Sequence, residues 1–175
     1  PRAHQIEAMP AAGDGVADDM QSFHGTLVGE GGRRVYTTIG TGGHVDECAR
    51  FIGPSSVVVP QLSQEQAARS PIAATTAQRL DANAAMLANQ TDQDGTRLTV
   101  ARMPYPEELY ATVNASDGVY QLLAQLPEIA PLPPTIEVVL ASSYTNYVLA
   151  NGLLLLPQYY KPGRARRFAE ADKKA

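Results

Sequence analysis

A chain of 175 residues, 44% of them hydrophobic, is long enough to bury one core, and no break in composition calls for two independent domains. A net charge of −4 at pH 7 and a pI near 5.3 argue against a general nucleic-acid binder, which needs a basic field to meet phosphates. The longest aliphatic run, Leu153 to Leu156, is too short to cross a bilayer, and Cys48 is the single cysteine. No intrachain disulfide can form, and a reducing, intracellular compartment fits best.

Charge is unevenly spread. Residues 161–175 hold Lys161, Arg164, Arg166, Arg167, Lys173 and Lys174 against Glu170 and Asp172, a net +4, which leaves −8 on the rest. An acidic body attracts cationic ligands; the basic tail suits either an acidic partner or a plain solvated helix. The 14 glycines and 13 prolines predict many short elements in an α/β chain.

In chain order, residues 1–25 show neither helical nor strand periodicity and read as an extended arm. His4 and His24 lie in it without the spacing of a metal site. Thr26 to Val28 and Arg33 to Ile39 flank the Gly-rich turn Gly29 to Gly32 and predict a β-hairpin. A second strand pair is expected over Asp46 to Ile52 and Ser56 to Pro60. Good helix formers predict a helix from 72 to 91, closed by Gly95, then a strand from Leu98 to Met103. The stretch 104–134, with six prolines, reads as a long irregular excursion. Strands are expected over Ile136 to Leu140, Tyr144 to Ala150 and Leu153 to Leu156, with Asn151-Gly152 as the hairpin turn. A basic helix closes the chain. The resulting units are the arm 1–25, a domain over 26–160 and the tail 161–175.

His44 and Asp46 stand two residues apart at the expected start of a strand, a spacing that sends both side chains to one face. A carboxylate can grip a planar guanidinium through two parallel hydrogen bonds, and an imidazole can pass a proton to a leaving amine. The same spacing also suits a turn histidine whose ring is held by the neighbouring carboxylate. Cys48 fits a core position better than a nucleophile. Tyr144 and Asn146 can either line a site or hold neighbouring strands in register.

The run Gly43-His44-Val45-Asp46-Glu47-Cys48-Ala49-Arg50-Phe51 resembles the Gly-His-Val-Asp-x-x-Ala-Arg-Phe segment of agmatine deiminases and the bacterial peptidyl-arginine deiminases related to them. Ala141 to Gly152, running on to Leu156-Pro157, resembles a second block of that family in the same order and at similar spacing. The resemblance covers residues 26–165. It implies a pentein-type α/β propeller, built from strand-pair and helix modules, of which this chain supplies part. The reaction it implies is attack of a cysteine thiolate on a guanidinium carbon, loss of ammonia and hydrolysis to a ureido product, with no metal or organic cofactor. His44 matches the family's general acid/base, and Asp46 a carboxylate that binds the guanidinium of agmatine or an arginine-like molecule. Asn146 falls in the second block as a candidate substrate contact. Gly42 stands where the family usually has an acidic residue, and the family's Gly-rich His-Cys segment is not found in these residues. The chain is therefore expected to supply the His/Asp part of a site without its nucleophile. The alternative is an inactive, deiminase-derived structural subunit, with a protein partner covering the incomplete propeller.

Overall fold

The computed structural model describes residues 26–37, 45–127 and 129–175. The expected arm, with His4 and His24, lies outside those residues, as do His44 and the end of the second expected strand at Thr38 and Ile39.

The chain opens with the expected hairpin, β1 (Thr26–Val28) antiparallel to β2 (Arg34–Thr37). A side chain at Gly29 would start 2.7 Å from the Tyr110 hydroxyl, so glycine is needed there for the close approach. A 3-10 turn, Val45–Glu47, then leads into β3 (Arg50–Gly53), which pairs antiparallel with β4 (Ser56–Gln61). The short helix α1 (Gln64–Ala67) starts with a capping box in which Ser63 and Gln66 satisfy each other's backbone N–H groups. Ser70 caps α2 (Pro71–Leu87), with Pro71 in the first turn, where its missing N–H is harmless. This helix crosses from β4 to the parallel strand β5 (Thr99–Pro104).

The helix stops four residues before the expected end. Asp92 accepts the N–H groups of Asp94 and Thr96 and the hydroxyl of Ser55, while Leu98 N–H donates to the Gln90 carbonyl. Those bonds turn residues 89–98 back toward β4 and compete with another helical turn.

The expected irregular excursion over 104–134 is corrected. It contains β6 (Leu109–Asn114) and α3 (Gly118–Leu123). Prolines at 104, 106, 127, 131, 133 and 134 punctuate the segment but leave 107–126 clear, so alternating residues there can pair. β6 runs antiparallel to β7 (Thr135–Leu140), and β7 runs parallel to β2. The expected strand over 144–150 is likewise shorter: only Val148–Ala150 forms β8, paired with β9 (Leu153–Leu155). Asn151 (φ 49°) and Gly152 (φ 79°) make the turn between them, as the Asn-Gly dipeptide predicts. The chain ends in α4 (Arg166–Lys174).

Among the described residues the strands form three sheets, β1-β2-β7-β6, β3-β4-β5 and β8-β9. The fold is mixed α/β with small sheets, none of them closed. One core packs Val57 and Val59 of β4 and Leu98 against Leu80, Ala84 and Leu87 of α2. Another packs Leu123 of α3 on Tyr36, Val113, Ile136 and Val138. Ile72, at the start of α2, meets Val35 and Val139 of the four-stranded sheet. One helix therefore touches both main sheets. The hairpin β8-β9 stands apart, with Val148, Leu149, Leu153, Leu154 and Leu155 all exposed, Leu149 at 67%. No helix among the described residues is long and apolar enough to cross a membrane.

Helix α4 is seated by charge as well as by burial of Phe168 and Ala171. Arg167 donates one guanidinium N–H to Glu30 Oε1 at 2.6 Å and a second to Oε2, and its Nε lies 3.5 Å from Glu107. The hydrogen bond from Arg167 holds the Glu30 carboxyl below its ordinary value of 4.5, against the opposing effect of desolvation. A depressed carboxyl pKa stabilises the fold fully above the ordinary value and loses that stabilisation as pH falls through the folded value. The pair is partly exposed, so its worth is on the order of 1 kcal/mol at most. The stability difference between the parent and Glu30→Gln, read from urea midpoints, is expected to be constant above about pH 5 and to vanish in stronger acid. A difference that persists unchanged in acid would contradict the assignment.

Candidate functional site

The site is built from the turn Val45–Glu47 and the segment 141–147. Asp46 does not start a strand as expected. It sits half-buried in the 3-10 turn, and strand pairing begins only at Arg50. The turn closes because the Val45 carbonyl accepts the N–H groups of Cys48 (3.0 Å) and Ala49 (2.8 Å). Strand parity therefore does not relate Asp46 to its neighbours, and the partner position, His44, lies outside the described residues. Among the described residues the bonds that close the turn and join it to segment 141–147 come from backbone groups and from Ser143, not from the Asp46 carboxylate.

Cys48 follows one residue beyond the turn. It is 2% exposed, packs in the core of the three-stranded sheet, and directs its thiol at the Val45 carbonyl, 3.4 Å away. A thiol buried among apolar side chains is shielded from substrates and reagents. The expected role as core filler accords with that setting.

Segment 141–147 adopts a turn because its polar groups are satisfied by side chains rather than by a neighbouring strand. Ser143 Oγ donates to the Glu47 carbonyl (2.6 Å), lies 2.6 Å from Thr145 Oγ1 and accepts the Thr145 N–H. The carbonyls of Thr145 and Tyr147 accept both of their bonds from the Arg50 guanidinium, at 3.1 and 2.5 Å, which also lies 4.4 Å from the Tyr147 ring centre. Arg50 and Ser143 thus join two segments nearly a hundred residues apart in sequence. Spacing alone singled out neither as a linker, although both lie inside the two recognised blocks.

Tyr144 and Asn146, left open by sequence, separate cleanly. Tyr144 is fully buried, and its hydroxyl donates to Asp172 at 2.6 Å. Burial first, and the bond to Asp172 second, push the phenol well above its ordinary range, so it remains a donor at neutral pH. Its role is to hold neighbouring segments. Asn146 is exposed between the two carbonyls bound by Arg50, a position open to a ligand.

An open cleft of about 620 Å³ lies elsewhere, lined by Arg69, Arg102, Glu107, Arg167 and Lys174 among others. Its arginines are already engaged: Arg69 with Glu65 and Glu107, Arg102 with Asp81, Arg167 with Glu30. Volume alone is therefore a poor guide here, and the 45–47 turn with its flanking segment is the better candidate. Among the described residues no cluster of three or more His, Cys, Asp or Glu side chains could hold a metal ion.

Comparison with known proteins places these segments in context. The family model of Porphyromonas-type peptidyl-arginine deiminases matches residues 24–175. An agmatine deiminase of Medicago truncatula is 31% identical over 135 residues, covering 73% of this chain and 30% of that protein. One from Pseudomonas putida is 32% identical over 125 residues, with 71% and 30% covered. Among solved structures, the agmatine deiminase of Enterococcus faecalis aligns over 77% of this chain and 32% of its own, at 23% identity and a TM-score of 0.43. The chain spans about 30% of the length of the curated relatives it matches.

Arg50→Ala removes two charge-assisted hydrogen bonds and a cation–π contact. The expected cost is about 2–3 kcal/mol, read as a lower urea midpoint at unchanged slope. Arg50→Lys should fall between, because an ammonium can still donate to the carbonyls but lacks the flat guanidinium face that lies over the Tyr147 ring. A midpoint equal to the parent's in Arg50→Ala would show that the two segments are held together by other means.

Proposed function

The chain belongs to the Porphyromonas-type peptidyl-arginine deiminase family, and from that premise we propose that residues 26–165 supply one part of a guanidine-hydrolysing site within a pentein-type α/β propeller. Asp46 takes the guanidinium through paired hydrogen bonds, and Asn146 is a second contact beside it. His44 carries the proton. A cysteine thiolate from outside the residues present here attacks the guanidinium carbon. The C–N bond breaks as His44 protonates the leaving amino group, which departs as ammonia, and water then cleaves the S-linked amidinium intermediate to give the ureido product and restore the thiolate. Cys48 is not that thiolate, because it is sealed in the core.

The observation that carries this proposal is the direct contact of the two recognised blocks through Arg50 and Ser143. It sets Asp46 and Asn146 on segments that touch, as convergence on one small ligand requires. The relatives named for agmatine make that amine the first substrate to test, with free and peptidyl arginine as the arginine-like alternatives. The net charge of −8 outside the tail suits a cationic substrate.

An assembly role is favoured by one further observation: five aliphatic side chains of the β8-β9 hairpin are exposed on a sheet that, among the described residues, has two strands. Such an uncharged, open-edged hairpin is unstable alone and calls for cover. Light scattering of the purified chain is expected to show association, and Leu149→Lys with Leu154→Lys to reduce it; a monodisperse monomer unaffected by these changes would remove the support for a partner.

Activity decides between the two roles. The complete polypeptide carrying these residues is expected to release ammonia from agmatine, and His44→Asn and Asp46→Asn each to lower kcat/KM by about 100-fold or more. Ammonia release that is absent from the parent, or unchanged in both variants, would overturn the proposed chemistry.

A further inference from the structure

The carboxylate of Asp172, on α4, accepts four hydrogen bonds from three donors. The Tyr144 hydroxyl donates to Oδ1 at 2.6 Å, the Tyr159 N–H lies 3.1 Å from each oxygen, and the Tyr160 N–H donates to Oδ2 at 2.8 Å. The two tyrosines so held meet edge to face, with ring centres 5.4 Å apart. Tyr159 passes the constraint on: its hydroxyl accepts the Ser143 N–H at 2.8 Å and donates to the Ser143 carbonyl at 3.0 Å. Ser143 Oγ in turn donates to the Glu47 carbonyl at 2.6 Å. An unbroken set of bonds therefore runs from α4 to the turn that holds Asp46.

We propose that Asp172 is a positioning residue for this site, fixing the Val45–Glu47 turn through Tyr159, Tyr144 and Ser143. The catalytic meaning of that constraint rests on the proposed function; the mechanical coupling does not. A carboxylate suits the place. It offers acceptor lone pairs toward every donor, whereas an amide of the same shape keeps one acceptor oxygen and would either turn its NH2 group toward a backbone N–H or oblige the Tyr144 hydroxyl to accept in place of donating. The helix itself has independent anchors in Phe168 and in the Arg167–Glu30 pair. Loss of the Asp172 bonds thus leaves α4 docked while freeing what it holds.

The chain's single cysteine reports on that turn directly. Cys48 is 2% exposed and bound through both its N–H and its thiol to the Val45 carbonyl, so it reacts with a thiol reagent only when the turn opens. In the full chain under native conditions, Asp172→Asn is expected to raise the rate of Cys48 labelling by iodoacetamide on the order of tenfold or more. Glu30→Gln, which weakens α4 at its other anchor, is expected to change the rate less than about twofold. Equal labelling in Asp172→Asn and the parent would overturn the proposal. So would a rise matched by Glu30→Gln at the same urea midpoint, which would mean that the cysteine senses only global stability. If Asp172→Asn does not fold, Tyr159→Phe carries the test, since it deletes only the hydroxyl that grips Ser143; faster labelling supports the relay and an unchanged rate overturns it. Ammonia release from agmatine, measured separately on the complete polypeptide carrying these residues, distinguishes the two claims: an inactive parent there, with an unlocked Cys48 in Asp172→Asn here, refutes the proposed chemistry and leaves the coupling intact.

Discussion

The candidate site depends on one closure, the seating of residues 143–147 on the start of β3. Ser143 reaches the Glu47 carbonyl, and Arg50 gathers the carbonyls of Thr145 and Tyr147. Bringing together segments separated by some ninety-six residues costs conformational entropy, but that cost grows slowly with loop length. Most of it is already met by the pairing of β7 with β2 and by α2, whose two ends pack on different sheets. The local bonds then need only fix the geometry. They do so with a guanidinium and a hydroxyl, groups that satisfy carbonyls which a turn would otherwise leave without partners.

This arrangement explains which features were legible in the sequence. The hairpins at 26–37 and 148–155, the long helix and the strand after it follow from patterns that local chemistry enforces: glycine turns, Asn-Gly, a run of good helix formers and alternation. The two recognised blocks could be read as belonging together because each retains its residue types in order. Their contact could not, since Arg50 looks in sequence like any strand-edge cation and Ser143 like any loop serine. The strand period assigned to Asp46 failed for a related reason. The Val45 carbonyl captures the N–H groups of Cys48 and Ala49, and a 3-10 turn wins over extension. In 104–134 the density of proline masked β6 and α3, because proline marks the borders of short elements as often as it marks their absence. His44 lies outside the described residues, so its half of the expected pair rests on sequence alone.

The charge pattern also acquires a physical meaning. The basic tail, open by sequence to either a partner or solvent, forms a helix that spends part of its charge inside the chain. Arg167 is committed to Glu30 and Glu107, while Asp172, one of only two acidic residues in the tail, accepts the Tyr144 hydroxyl of the site segment and the N–H groups of Tyr159 and Tyr160 behind it. Tyr144 and Tyr159, both held protonated mainly by burial, can donate to these acceptors across the neutral range. What remains exposed is the uncharged β8-β9 hairpin, a surface of opposite character to the acidic body.

The central claim is that Asp46 and Asn146 face one guanidinium. The most direct measurement is a backbone amide chemical-shift titration of the chain with agmatine, using putrescine, which has the same aliphatic body without the guanidinium, as the control. Selective shifts at Val45 to Glu47 and at Thr145 to Tyr147 with agmatine, and not with putrescine, are the result expected. Equal shifts with both amines, or shifts confined to other segments, would contradict it.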